Sequence, residues 1–159
     1  MARRPAADDL DPADRRILRE LQKDGRISIA DLSERVGLTP TPCWRRVREL
    51  EQRGVIRGYA CLVDPAAVGL EVEALVQVTL EKHAVLAIEE FIAELKAIPN
   101  VVQCVSLTGQ YDAQLRVLAP SIADFERILM TRLMKIPGVA HLNSTFVLNR
   151  LIERADLPV

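Results

Sequence analysis

Between Thr39 and Tyr59 the chain carries five arginines, Arg45, Arg46, Arg48, Arg53 and Arg57, against two acids, Glu49 and Glu51, a local balance of +3. A guanidinium stays charged and presents a planar fork of donors, which suits phosphate oxygens and the O6/N7 edge of guanine. A solvated helix normally mixes signs more evenly. Pro42, Trp44 and the hydroxyls of Thr39 and Thr41 stand at the front of the same stretch. Thr39, Thr41, Pro42, Trp44, Arg45, Arg48 and Arg57 are therefore the candidate contacts to double-stranded DNA. Arg45 and Arg48 are the best donors among them to base or phosphate. Trp44 is equally suited to packing between helices.

Such side chains need a helix that can enter a groove, and the flanking residues predict one. Ser28-x-x-Asp31 is a capping-box-like start, with Ile29, Leu32 and Val36 on the buried side of the first helix of a pair. Gly37 can take the left-handed backbone that ends a helix, and Leu38 fills the corner. Thr39-Pro40-Thr41-Pro42 restarts the chain, because Thr caps a helix and Pro is preorganised for its first turn. Cys43, Val47 and Leu50 point inward at i, i+4 and i+7. Gly54-Val55-Ile56-Arg57-Gly58-Tyr59 reads as a short strand and turn, the shape of a wing. An earlier helix, with Asp11 as cap, Pro12 in its first position and Ile17, Leu18 and Leu21 as its apolar face, completes a three-helix unit. A packing module without a ligand would leave the arginine excess unexplained, so the helix-turn-helix reading is preferred.

The whole chain, 159 residues with a net charge of −1, argues against a nucleic-acid binder until it is divided. Residues 1–60 hold 13 Lys/Arg and 10 Asp/Glu, a balance of +3; residues 61–159 hold 8 and 12, a balance of −4. A basic head on an acidic body fits a DNA-binding module carried by a domain with another task. Arg3 and Arg4 are additional phosphate contacts in this reading. No apolar run approaches the roughly 18 residues of a membrane span. The charged stretch from Met1 to Asp9 lacks the apolar core of a secretory signal. A cytoplasmic, nucleoid-associated location is expected, with no membrane partner.

From Glu71 the periodicity changes. Val72, Ala74, Val76, Val78 and Leu80 alternate with Glu73, Leu75, Gln77 and Thr79, the period of a strand. Val85, Ile88, Phe91, Ile92 and Leu95 recur at helical spacing. Val101–Leu107 and Tyr111–Leu118 read as a hairpin around Gly109-Gln110. Phe125, Leu129 and Leu133 mark another helix, and Val139–Leu148 a last strand. Ile98-Pro99-Asn100-Val101 and Ile136-Pro137-Gly138-Val139 echo each other 38 residues apart, each closing a helix and opening a strand. The order βαββαβ predicts a ferredoxin-like split fold with both helices on one face of an antiparallel sheet. If Val76 and Phe146 face the helices, the bare face shows Leu75, Gln77, Thr79, Thr145 and Val147, a semi-apolar surface suited to self-association.

Other chemistries find little support. Single-strand stacking needs aromatics on the bare face, and besides Phe146 only Tyr111 lies on the relevant strands. No phosphate-binding Gly-rich loop is present. His83 and His141 have no carboxylate or nucleophile beside them in sequence, so no enzyme is expected. Cys43, Cys61 and Cys104 form no Cys-x-x-Cys pattern; each reads as a small buried hydrophobe, and neither a structural metal nor a cofactor is expected. Cys43, inside the groove helix, is the one candidate for a thiol sensor.

Taken together the chain resembles the Lrp/AsnC (leucine-responsive/asparagine-synthetase regulator) family of transcription factors. The resemblance rests on Asp14-Arg15-Arg16-Ile17-Leu18, Leu21–Arg26, Leu32–Leu38, Thr41-Pro42-Cys43, Arg46–Glu51, Gly54-Val55-Ile56 and Gly58-Tyr59. In the second half it rests on Thr108-Gly109-Gln110-Tyr111-Asp112 and Pro137-Gly138-Val139. It covers nearly all of residues 10–152 and implies an α+β protein: a winged helix-turn-helix at 1–60, a linker at 61–70, and a ferredoxin-like domain at 71–159. That second domain would bind an effector and dimerise, often to octamers. The effector implied is an amino acid or related metabolite, held near the turn at 109–112. The candidate effector residues are Leu107, Gly109, Gln110, Tyr111, Asp112 and Thr145. Gln110 stands where the family often has an acid. Backbone amides near Gly109 suit a carboxylate, and Asp112 suits an ammonium group; equally, Gly109 and Asp112 suit an ordinary turn. The function this implies is a sequence-specific transcriptional regulator. Its rival is an architectural chromosome-binding protein with no specific operators.

Overall fold

The computed structural model describes residues 10–81, 87–152, 154 and 156–159. His83, Val85, Arg3 and Arg4 lie outside them. The chain forms two compact units: one runs to Cys61 and includes Ile152–Val159, the other spans Leu62–Leu151.

The first unit, the head, holds α1 (Pro12–Lys23), α2 (Ile29–Val36) and α3 (Pro40–Gln52). Each start is set by chemistry visible in the sequence. Asp11 accepts from the Asp14 amide at 2.8 Å while Asp14 accepts from the Asp11 amide at 3.3 Å, a complete capping box with Pro12 following. Ser28 Oγ accepts from the Asp31 amide at 3.1 Å, and Gly37 closes α2 at φ 70°. Thr39 occupies the cap position of α3, but its side chain makes no capping bond. Ile17, Leu32, Val36, Cys43, Val47 and Leu50 are buried together, as their spacing requires. Burial of a side chain the size of leucine contributes about 1.5–3 kcal/mol. Residues 152–159 follow the sheet domain in sequence, yet their last residues pack on α1. Gln22 bonds the Leu157 carbonyl and amide at 3.1 and 2.7 Å, Arg19 donates to the Val159 carbonyl at 2.6 Å, and Val159 joins the head core.

One expected element is absent from the head. Residues 53–60 are turns and irregular backbone rather than strand. Gly54, at φ 70°, turns the chain so that the Val55 and Ile56 amides both donate to the Leu50 carbonyl, at 2.9 and 3.1 Å. The end of α3 captures donors that a strand would have offered to a ladder, and Val55 and Ile56 fold onto the core.

The second unit begins with a single 3-10 turn, Ala66–Val68, within the stretch expected to be plain linker. There follow β1 (Val72–Leu80), α4 (Ala87–Lys96), β2 (Val101–Ser106), β3 (Ala113–Ala119), α5 (Ile122–Thr131) and β4 (Val139–Phe146). The sheet is ordered β2-β3-β1-β4 with every neighbour antiparallel. Ala74, Val76 and Val78 of β1 and Leu115 and Val117 of β3 meet Phe91, Leu95, Phe125 and Leu133 in one core. Phe146 turns to this side and meets Phe125 edge-on, ring centres 5.2 Å apart. The two echoed segments make the same turn: Val101 donates to Ile98 and Val139 to Ile136, each from a buried isoleucine corner. The hairpin differs from expectation. Six residues, 107–112, separate β2 from β3 in place of a two-residue turn, and the Leu107 amide closes this loop on the Asp112 carbonyl at 2.9 Å.

Candidate nucleic-acid interface and effector cavity

The apolar stripe of α3 faces inward and leaves the opposite side to solvent. Thr39, Thr41, Trp44, Arg45 and Arg48 are exposed there, Pro42 is half-buried, and Arg57 is exposed beyond the helix. Trp44 is 51% exposed, so it does not pack between helices. The Arg48 guanidinium lies over its ring, 5.8 Å from the ring centre, and also pairs with Glu51 at 3.3 Å. The Tyr59 hydroxyl donates to Glu51 at 3.1 Å. Partial burial raises the Tyr59 phenol pKa and the bond to Glu51 raises it further, so this group remains a donor through neutral pH.

Arg46 does not belong to this face. It reaches α1 and donates to Asp11 at 2.6 Å and to Asp14 at 2.8 Å, tying two helices of the head together. Hydrogen bonds to Asp14 and then Asp11 raise its pKa, and the Asp14 amide, acting with Arg46, holds Asp11 below the usual carboxylate range. The basic excess read from the sequence therefore overstates the charge available to DNA. Arg46 lies between Cys43 and Leu50 at i+3 and i−4, on the buried stripe, and that spacing was the signal for its inward role.

The thiols divide. Cys43 is fully buried and burial raises its pKa, which opposes the thiolate a sensor needs. Cys61 and Cys104 are exposed rather than buried, because residue 61 follows the last turn of the head and residue 104 sits on the edge strand β2. No cluster suited to a metal ion is found among the described residues.

In the second unit a cavity of about 560 Å³ opens between α4 and the β2–β3 end of the sheet, lined by Leu80, Phe91, Ile92, Leu95, Lys96 and Val101 together with Leu107 and Asp112. Of the candidate effector residues, Leu107 and Asp112 line it. Gly109 and Gln110 sit on the exposed loop beside it. Tyr111 and Thr145 lie elsewhere: the Tyr111 hydroxyl is 3.4 Å from Asn143, and Thr145 pairs with Leu75 on the sheet face away from the helices. Asp112 is also a structural residue. Its carboxylate accepts from the Leu80 amide at 2.7 Å, and its amide donates to Val78 at 2.9 Å.

The outer face of the sheet is more polar than expected. Besides Leu75 it carries Gln77 bonded to Asn143 at 2.9 Å, and Glu73 held by Arg116 at 2.8 Å and by Arg150. Burial disfavours the Glu73 charge, but the bonds from Arg150 and Arg116 outweigh it and hold the carboxyl below its usual range. Glu73 and Arg116 sit at outward-parity positions on neighbouring strands, yet their pairing depends on a register that one strand alone does not reveal.

A groove-sized basic helix on a small head, followed by a sheet domain with a side cavity, defines a ligand-responsive DNA-binding protein. A family model for a winged helix-turn-helix DNA-binding domain matches residues 10–57, and one for the Lrp/AsnC ligand binding domain matches residues 73–157. The leucine-responsive regulatory proteins of Salmonella typhimurium and Escherichia coli K12 are 41% and 40% identical over 131 residues, 82% of this chain and 80% of theirs. The solved structure of a Neisseria meningitidis transcriptional regulator in complex with L-methionine superimposes with a TM-score of 0.90 at 38% identity, covering 94% of this chain and 96% of that one. The feast or famine regulatory protein of M. tuberculosis, complexed with L-methionine, matches at TM-score 0.84 and 33% identity over 93% of this chain and 98% of its own. The chain belongs to the Lrp/AsnC family and is a DNA-binding transcriptional regulator modulated by a ligand.

Proposed function

We propose that the protein reads specific operators through the outward face of α3 and that a small amino acid, bound in the cavity beside the 107–112 loop, adjusts this binding by changing how subunits are arranged. The observation that carries the first half is the segregation of α3: its apolar side is buried in the head while Thr41, Trp44, Arg45 and Arg48 share the solvent side. Thr39 and Arg57 flank that face, where they reach phosphates on either side of a groove. Pro42, half-buried in the first turn of α3, stands at the edge of that face near the groove.

The second half draws on the cavity's chemistry. Asp112 and Lys96 supply opposite charges for an ammonium and a carboxylate, and Leu80, Ile92 and Leu107 supply an apolar wall for a side chain. The relatives solved with L-methionine make that amino acid the first ligand to test. Tyr111, Gln110, Gly109 and Thr145 would act from the loop or the outer sheet face, where subunits meet. The outer face, with Leu75 at its centre, supports a dimer as the unit of binding and larger rings, including octamers, as its assemblies. The working location is the cytoplasm, on the chromosome.

The test is selection of bound sequences from a random duplex pool, followed by footprinting with and without L-methionine. Discrete sites spaced by about one helical turn or its multiples are expected, with occupancy changed by the amino acid. Uniform coverage without preferred sites would reject operator reading in favour of an architectural role, and indifference to every common amino acid would reject the effector.

A further inference from the structure

The solvent face of α3 is more ordered than phosphate binding alone requires. Arg48 is flanked by two fixed groups: the Trp44 ring beneath it, 5.8 Å to the ring centre, and the Glu51 carboxylate beside it at 3.3 Å. Glu51 is itself held, because its other oxygen accepts from the Tyr59 hydroxyl at 3.1 Å. The Tyr59 ring rests against the α1–α2 turn, where even a methyl group added at Gly25 would come within 3.3 Å of Cδ1. Four side chains therefore run in series from that turn to the centre of the outward face.

An acid at this place needs a reason, since a carboxylate beside the groove opposes binding to a polyanion. We propose that Glu51 is a specificity-setting residue of the DNA interface: it fixes Arg48 in one orientation and biases that guanidinium toward a neutral base edge and away from phosphate. Tyr59 is the residue that positions Glu51. The proposal rests on the reading of α3 as the groove helix. Its logic is electrostatic and geometric. A guanidinium has five N–H donors, and one edge given to Glu51 leaves others for the O6 and N7 acceptors of guanine. A guanine edge is uncharged, so it can join the Arg48–Glu51 pair. A phosphate would place a second anion within a few ångströms of Glu51, well inside the screening length. The pair thus penalises backbone-only binding, which lowers affinity for random sequence more than for a site offering guanine at that position.

The test compares wild type, Glu51→Gln and Tyr59→Phe in the full-length protein, on a selected operator and on a scrambled duplex, over a series of salt concentrations. Gln removes the charge and keeps one acceptor oxygen, its amide nitrogen standing in place of the other, so the shape of the contact to Arg48 and Tyr59 changes least. Glu51→Gln is expected to raise affinity for the scrambled duplex, to steepen its log K against log salt slope by about 0.9, and to lower the operator-to-scrambled ratio about tenfold, a shift typical of one lost discriminating contact. Tyr59→Phe should lower the ratio in the same direction by less. A wild type that discriminates, with a Glu51→Gln variant that keeps its ratio and slope, would overturn the role of Glu51 alone. Parallel loss of both affinities with a lowered melting midpoint would also overturn it, by showing a merely structural residue. A wild type that does not discriminate would overturn the reading of α3 and this proposal with it.

Discussion

Arg46→Met is the substitution that best separates the architectural arginine from the reading ones. Arg46 donates to Asp11 at 2.6 Å and to Asp14 at 2.8 Å, joining α3 to the start of α1. The Asp11 side chain is 44% exposed, so its share is discounted to the roughly 0.2–1 kcal/mol of an exposed pair. The Asp14 side chain is only 10% exposed, and its charge-assisted bond contributes about 1.5–3 kcal/mol. Methionine retains the aliphatic stem, leaving a loss of about 2–3 kcal/mol once Asp14 relaxes toward its remaining bond with the Asp11 amide. For a domain of this size each kcal/mol lowers the melting midpoint by about 4–8 °C, so a fall of about 10–20 °C is expected. The chain has one tryptophan, and Trp44 lies on α3, so its fluorescence during urea denaturation follows the head. Because Arg46 is turned away from solvent-side ligands, the salt dependence of DNA binding by the folded variant should match wild type. Arg45→Ala should reverse the pattern, with stability retained and the slope reduced by about 0.9. If Arg46→Met kept the midpoint and lost the salt slope, Arg46 would be a phosphate ligand and the bridge to α1 would not hold in solution.

The remaining expectations follow from the second unit. Glu73→Gln should cost about 1–2 kcal/mol near neutral pH, where its partly screened pairs with Arg116 and Arg150 are intact. The folded carboxyl lies below the ordinary 4.5, so this stabilisation is complete above that value and disappears as pH falls through the depressed one; urea melts of both proteins should converge in acid. Asp112→Asn keeps an acceptor for the Leu80 amide but removes the charge, so calorimetry should find L-methionine bound about 10- to 100-fold more weakly at unchanged stability; unchanged affinity would leave Asp112 a structural residue only. Leu75→Glu places a charge on the outer sheet face, twice over across a two-fold interface, and light scattering should show the dimer dissociating; an unaltered mass would move the interface elsewhere.

Much of the head was legible because its signals are local. Asp11, Ser28 and Gly37 act through neighbours three or four residues away, and the buried stripe Cys43, Val47, Leu50 is a matter of helical period. The second unit was legible through alternation in β1 and the repeated Ile-Pro corners, which locate strands and helices without reference to the rest of the fold. What was missed depends on distant partners. Arg46 was left in the basic excess, though not among the contacts, because its acids lie on α1, and the wing strand was expected because nothing in Gly54–Tyr59 reveals that Leu50 will capture two amides. The attachment of residues 157 and 159 to α1 joins segments about as far apart in sequence as this chain allows. The cavity at α4 likewise assembles from β1, α4, β2 and the loop before β3, so only two of the six suspected effector residues prove to line it.

Operator reading by the outward face of α3 is tested most directly by quantitative gel shifts of Arg48→Ala and Arg45→Ala on a selected operator and on a scrambled duplex. At least one variant should lose about 1–3 kcal/mol on the operator, with a smaller loss on scrambled DNA. Wild-type affinity of both variants for the operator would contradict the assignment of this face to the groove.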